Sequence, residues 1–242
     1  KRTMIHPVPV TVAQMPEVIN GWYGAPQSIA SDEFQWKTVT GDSPGFKLEV
    51  PYNQPMFSSI MFGHHGKLFT DEMAQMPHAQ VMLALLRDGF HQDSPGGTVR
   101  VDGAGNPIVD YDMSNYLWRG VKQAYLRMAE AQFAAGASKV MVGHLDSPWC
   151  TSWKQAQDMI DRLSYQKFRV VLNTAHLMGG CAMGEDERTS VVSSYGRHHH
   201  LENCSVFDGS IFPTSIGANP QLSIYGHVAR NATRLALELR SP

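Results

Sequence analysis

The chain of 242 residues is short of several things that would declare a class at once. Its only cysteines are Cys150, Cys181 and Cys204, an odd number and too few to staple a secreted fold. That leans toward a reducing, cytoplasmic setting, with localisation otherwise open. Neither sign of charge is in excess. The formal net charge is -2, so nucleic acid and anionic membranes are not the expected partners. No apolar run approaches the roughly 20 residues of a membrane-spanning helix, and the nearest, Val81 to Leu86, stops at Arg87 and Asp88. No signal peptide opens the chain. Its first residues, KRTMIHPVPV, read like the middle of a longer protein, or of one that pairs with a second chain. There are no internal repeats and no low-complexity tract. A G-x-G-x-x-G after a strand is also missing: the GAG at Gly103 to Gly105 sits in a turn and runs on into Asn106 and Pro107.

What is present suffices for a core, since 43% of the residues are hydrophobic. GFKLEV (Gly45 to Val50) sets Phe46, Leu48 and Val50 on one face and Lys47 and Glu49 on the other, the period of a half-buried strand ended by Pro51. PYNQPMFSSIMFGHHG reads as a short helix or an apolar loop. Asp71 to Leu86 reads as a polar helix start followed by a buried strand. TVRVDGAGNPIVDYDMS is the clearest hairpin, with Gly103, Gly105 and Asn106 expected to supply positive φ. Ser114 can cap a long helix through Leu117, Val121, Ala124, Tyr125 and Met128, closed by Gly136. A strand, SKVMVGH, and a helix from Thr151 or Ser152 to about Leu163 follow. After about Phe168 glycines and turn signals dominate, until an amphipathic helix over about Pro220 to Leu239, with Pro220 in its first turn. The composition shift puts a domain boundary near residue 165.

Two stretches point to chemistry. In NTAHLMGGCAMG (Asn173 to Gly184) a lone His176 stands among small and apolar residues, where a neutral imidazole could accept a proton. The same composition also suits a buried core histidine. In VFDGSIFPTSIGANPQLSIYG (Val206 to Gly226), Val206 and Phe207 read as the end of a strand and Asp208-Gly209 as a turn. SIGANP then opens a helix whose N-terminal N–H groups suit an anion or a polarised oxygen. An ordinary strand–loop–helix junction capped by Asn219 reads the same way. HHH at His198 to His200 invites a metal, but neighbours along a strand point to opposite faces, so a polar edge is preferred and no metal is expected. The Met- and Phe-rich run from Pro55 to Phe69 is either pocket lining or core, and His64-His65 a surface loop or a pocket edge.

Taken together and in this order, the two stretches resemble the GMC (glucose-methanol-choline) flavin oxidoreductases. HLMGGCAMG (His176 to Gly184) matches the family form H-x-x-G-x-C-x-M-G. ENCSVFDGSIFPTSIGANPQLS (Glu202 to Ser223) matches N-L-x-V-x-D-x-S-x-F-P followed by N-P. TSVVSSYGRHH stands where the family has T-S-V-V-D-x-x-G-R-V-H. IHPVPV, INGWYGAPQS, the hairpin and FAAGASKVMVGH resemble pieces of its substrate domain more loosely. Ser193, Cys204 and His198 to His200 depart from the pattern without touching the matched His and Asn.

The resemblance implies an α+β or α/β fold: an antiparallel-sheet substrate domain with flanking helices over residues 1–165, then over 166–242 the C-terminal part of a Rossmann-like FAD-binding domain. It implies FAD as cofactor and hydride transfer from an alcohol carbon to the flavin. His176 corresponds to the base and Asn219 to the residue that positions the substrate oxygen. Asp208 and Gly209 correspond to the turn beside the FAD pyrophosphate and ribityl chain, and Asn219, Pro220, Gln221 and Leu222 to the flavin edge. An apolar pocket would favour a hydrophobic aliphatic or aromatic alcohol. With the dinucleotide fingerprint missing, the main grip on FAD is expected from an N-terminal half of the same protein or a companion chain. A non-catalytic interaction module that kept the fold, and a flavin-containing lyase, are the alternatives.

Overall fold

The computed structural model describes residues 1–36 and 42–240. In chain order the elements are β1 (Val8–Gln14), β2 (Ala30–Ser31), β3 (Phe46–Glu49), α1 (Pro55–Phe62), α2 (Gly66–Ala74), β4 (Ala79–Leu86), β5 (Thr98–Val101), β6 (Pro107–Asp110), α3 (Asn115–Ala134), β7 (Lys139–Val142), α4 (Trp153–Arg162), β8 (Leu172–Asn173) and α5 (Gln221–Glu238). They group into two compact units interleaved along the chain. One takes Pro7–Leu86 and Asn115–Asn173; the other takes Lys1–His6, Arg87–Ser114 and Thr174–Pro242.

The first unit is a mixed α/β body on an antiparallel six-stranded sheet ordered β2-β3-β4-β1-β7, with β8 pairing the start of β1. β1 is its centre. Val10 pairs with Leu83 on one side and Thr11 with Val142 on the other, so Val8 to Ala13 are buried on both faces and read as an almost unbroken apolar run. β3 follows the expected alternation, with one difference: Glu49 is buried, its carboxylate 3.3 Å from the Lys47 ammonium. An apolar stem and a paired head let Lys47 partly cover that charge.

The 55–69 run resolves into helices. Pro55 occupies the first turn of α1, where its missing N–H costs nothing, and Gly63 ends the helix at φ 64°. Phe62 turns into a core with Val12, Ala79, Val81 and Met141, while Met56 and Ile60 stay exposed. His64 pairs with the buried Glu72 of α2 at 2.7 Å, and Glu72 also accepts from the Trp149 indole at 3.0 Å. This histidine therefore staples the α1–α2 turn. Helix α3 lies along the sheet through Leu117, Val121, Ala124, Tyr125 and Met128. Its Gly120 is required, because a Cβ there would stand 2.4 Å from Pro44 Cγ and 2.8 Å from Leu86 Cδ2. Ser152 caps α4 by accepting from Gln155 N–H at 3.2 Å.

The second unit holds the β5–β6 hairpin, but not with the turn chemistry expected of it. Of Gly103, Gly105 and Asn106, only Gly105 has positive φ, 88°. Asp102 does the rest by accepting from Ala104 N–H and Asn106 N–H, both at 2.9 Å, and from the Asn106 amide. A strand ending at Val206-Phe207 does not form. Residues 174–212 pair through isolated bridges such as Met4 with Met178 and Arg197 with Ser205. Left-handed glycines break any ladder there: Gly179, Gly180 and Gly196 have φ 76°, 103° and 77°. Helix α5 takes Pro220 as its N-cap, one residue later than Asn219. No described helix is long and apolar enough to cross a membrane.

Candidate active site

The site is assembled inside the second unit from three pieces of chain. The segment after His176 runs beside the Asp208-Gly209 turn. Gly179, Cys181 and Met183 N–H donate to the carbonyls of Gly209, Ser210 and Ile211 at 3.2, 2.9 and 2.8 Å. Gly209 lies where this weave meets α5, since a Cβ on it would come within 3.1 Å of both the Leu177 carbonyl and Ile224 Cδ1. Met4, Met178 and Phe212 form the apolar seam below, with Ile216 and Ile224 packed on it. Thus the two motifs that are separate in sequence share one small core.

The third piece is the N-terminus. Met4 exchanges two backbone hydrogen bonds with Met178, at 2.6 and 3.0 Å. The Thr174 hydroxyl donates to the Ile5 carbonyl. His6 is fully buried, with its Nδ1 3.0 Å from Nδ1 of His176 and the two rings tilted at 37°. Beneath them lies Asp88, also fully buried. One of its oxygens accepts from Ile5 N–H at 2.9 Å, His6 N–H at 3.2 Å and the Tyr111 hydroxyl at 2.9 Å.

The electrostatics follow from burial. Loss of water disfavours the imidazolium of His6, and the neighbouring His176 adds to this, so the His6 pKa falls from 6.5 to about 3. Burial pushes the Asp88 carboxyl up, and its hydrogen bonds oppose this only in part. The Tyr111 phenol is pushed far up, first by burial and then by Asp88. The pair facing the site is therefore a neutral His6 beside His176.

Other expected residues fall as follows. His176 and Asn219 are half-buried, Gly209 and Pro220 buried, and Asp208, Gln221 and Leu222 exposed, Leu222 to 82%. Asp208 accepts from Ser210 N–H at 2.8 Å, which fixes the turn. A cleft of about 590 Å³ opens between Gly179, Gly180, Cys181 and the Asp208–Ser210 turn. Pro220, the N-cap of α5, offers no side-chain cap, and the first turn holds no acidic residue, so the positive end of the dipole lies at Pro220 and Gln221. A cleft walled by Gly179, Gly180 and Gly209 leaves room for a flat group such as a flavin to lie close against the backbone. His199 is engaged elsewhere, its Nε2 lying 2.9 Å from Ser190 Oγ and 3.1 Å from the Gly184 carbonyl. Among the described residues no group of three or more His, Cys, Asp or Glu converges on a metal position.

Known proteins resemble this chain in sequence and in fold. A family model described as GMC oxidoreductase matches residues 93–227. An uncharacterized GMC-type oxidoreductase of Mycobacterium tuberculosis is 28% identical over 220 residues, covering 91% of this chain and 33% of its own length. Long-chain-alcohol oxidase FAO4A of Arabidopsis thaliana is 26% identical over 185 residues, 73% of this chain and 24% of its own. Among solved structures, a formate oxidase of Aspergillus oryzae superposes with a TM-score of 0.62 at 14% identity, covering 98% of this chain and 47% of that one, a likeness of fold. The chain belongs to the GMC oxidoreductase family. It spans about a third of the length of the first of these curated relatives.

Proposed function

We propose that this chain supplies the catalytic pair of an FAD-dependent oxidase or dehydrogenase that converts an alcohol to an aldehyde or ketone. Support comes from one observation: the 177–183 backbone, the Gly209 turn and Ile224 of α5 close on one another, so the segment that bears His176 and the helix start that follows Asn219 share one core. Bound FAD would supply the hydride acceptor. His176 takes the hydroxyl proton of the alcohol. This gathers electron density on the oxygen and weakens the hold of the carbon on its hydrogen. Asn219 donates to the same oxygen and holds the alcohol in line; as an amide it cannot take over as base. Asp208 and Gly209 would lie along the pyrophosphate and ribityl chain, and Asn219, Pro220, Gln221 and Leu222 along the flavin edge, where the positive end of α5 favours negative charge on the ring.

With no dinucleotide fingerprint in these residues, the principal hold on FAD comes from an N-terminal half of the same protein or from a companion chain. Residues 1–165 then serve the substrate and 166–242 the cofactor, apart from the N-terminal clamp on His176. A hydrophobic alcohol is the substrate class, supported by the exposed apolar side chains of α1 and by the relatives named long-chain-alcohol oxidases. The test is His176→Ala in the flavin-loaded protein. Flavin stays bound, while its anaerobic bleaching by alcohol slows about 10²- to 10⁴-fold, the range of general-base catalysis. Undiminished bleaching removes His176 from the chemistry.

A further inference from the structure

We propose that His6 is the positioning residue for the base: it holds His176 in the one tautomer that leaves Nε2 to take the alcohol proton. The proposal rests on the assignment of His176 as base and adds to it which nitrogen acts and what holds it so.

The two Nδ1 atoms are 3.0 Å apart, so one of them donates and the other accepts. Two arrangements exist. In the first, His6 carries its proton on Nδ1 and donates, which puts the proton of neutral His176 on Nε2. In the second, His176 donates from Nδ1, and its Nε2 carries a lone pair. A base at work decides between them. After accepting the alcohol proton, His176 bears N–H at both nitrogens, so its Nδ1–H must meet an acceptor. In the first arrangement two N–H groups would then face each other at 3.0 Å in a buried place. In the second the existing hydrogen bond becomes charge-assisted and strengthens. The alcohol O–H bond breaks and an N–H bond forms at Nε2, while FAD, when bound, would supply the acceptor for the hydride, so atoms and electrons balance.

Two further features belong to the same device. His6 is fully buried and stays neutral, so it accepts without taking the proton away. Its proton then sits on Nε2, which meets no partner among the described residues, a cost that the bond from His176 has to offset. The His6 backbone is held in the left-handed region at φ 52°, immediately before Pro7, a conformation unfavourable for a non-glycine residue. Strain of this kind persists where surrounding bonds impose it. Here those bonds are the His6 and Ile5 N–H groups on Asp88 and the Thr174 hydroxyl on the Ile5 carbonyl.

The experiment uses the full-length flavin-loaded protein with ¹⁵N-labelled histidine. In the wild type, His176 is expected as the Nδ1–H tautomer, with Nε2 unprotonated at neutral pH. In His6→Ala it drifts to the Nε2–H tautomer that free histidine prefers, and kcat drops about 10²-fold with little change in KM. His6→Asn, whose amide oxygen can accept from Nδ1–H and which tolerates positive φ, recovers most of both signals. An Nε2–H wild-type His176 overturns the proposal even if His6→Ala does not fold; so does a His6→Ala protein with unchanged tautomer and kcat. Retained activity in His176→Ala strikes instead at the base assignment, so the two failures are told apart.

Discussion

At the scale of single residues, the second unit is governed by groups that burial has made intolerant. His6 is the plainest. Its pKa is depressed to about 3 from 6.5, so on acidification the unfolded chain takes up a proton that the folded one refuses. The stability this gives is complete above about pH 6.5 and is lost as pH falls toward 3, by about 1.4 kcal/mol per unit. Asp88 is raised by burial and works in the opposite sense over the carboxylate range, gaining stability as pH falls through its folded value. Urea unfolding between pH 7 and 5 reads this dependence, and His6→Asn should flatten the part of the slope that His6 contributes. A slope unaltered in the variant assigns it to another group. Gly179 is the second intolerant residue. It sits at φ 76°, and a Cβ there would lie 2.1 Å from the Arg2 carbonyl oxygen. Gly179→Ala is expected to cost more than about 2 kcal/mol in unfolding free energy, because left-handed strain and a backbone clash add. A midpoint within error of the wild type contradicts that contact.

At the scale of elements, local chemistry was readable and its use was not. The capped start of α4 at Ser152 and the left-handed stop after α3 at Gly136 are where side-chain type and φ preference put them. The expected strand end at Val206-Phe207 failed because its neighbours are glycine-rich loops that pair by single bridges; Val206 N–H goes to the Gly196 carbonyl at 2.8 Å. In the hairpin, glycines were credited with a turn that Asp102 in fact organises. The Met- and Phe-rich run divided between core and surface within one helix, which composition does not reveal. Gly120 shows the same limit from the other side. Inside a helical pattern it reads as a weakness, yet Pro44 and Leu86 approach it too closely for any side chain. Gly120→Ala gains helix propensity of about 1 kcal/mol but overfills the interface by about 1–3 kcal/mol. A net loss of thermal stability is the expected result, and a net gain in a melting experiment shows that α3 can shift to make room.

At the scale of the whole molecule, FAD retention is the informative quantity. The described residues offer a cleft, the helix start at Pro220 and the turn at Asp208, and the sequence holds no G-x-G-x-x-G fingerprint for the pyrophosphate. The 242-residue chain by itself is expected to bind FAD weakly, with fluorescence titration giving no saturation at micromolar cofactor. Tight stoichiometric binding by this chain alone overturns the placement of the main grip elsewhere.

The sequence by itself determined what is local. Helix caps and the alternation in β3 depend on a few adjacent residues. The family was legible for a different reason: the stretches around His176 and Asn219 are runs of ordered residues long enough to carry the resemblance. Only the tertiary structure decided who stands next to whom. His6 and His176 are 170 residues apart in sequence, and His6 and Asp88 82. No periodicity or spacing rule reaches across such distances, and IHPVPV shows in sequence only a loose resemblance to the family's substrate domain. The pairing arises because the N-terminal segment pairs with the glycine-rich weave at Met4 and Met178, and burial there holds an ordinary histidine neutral beside His176.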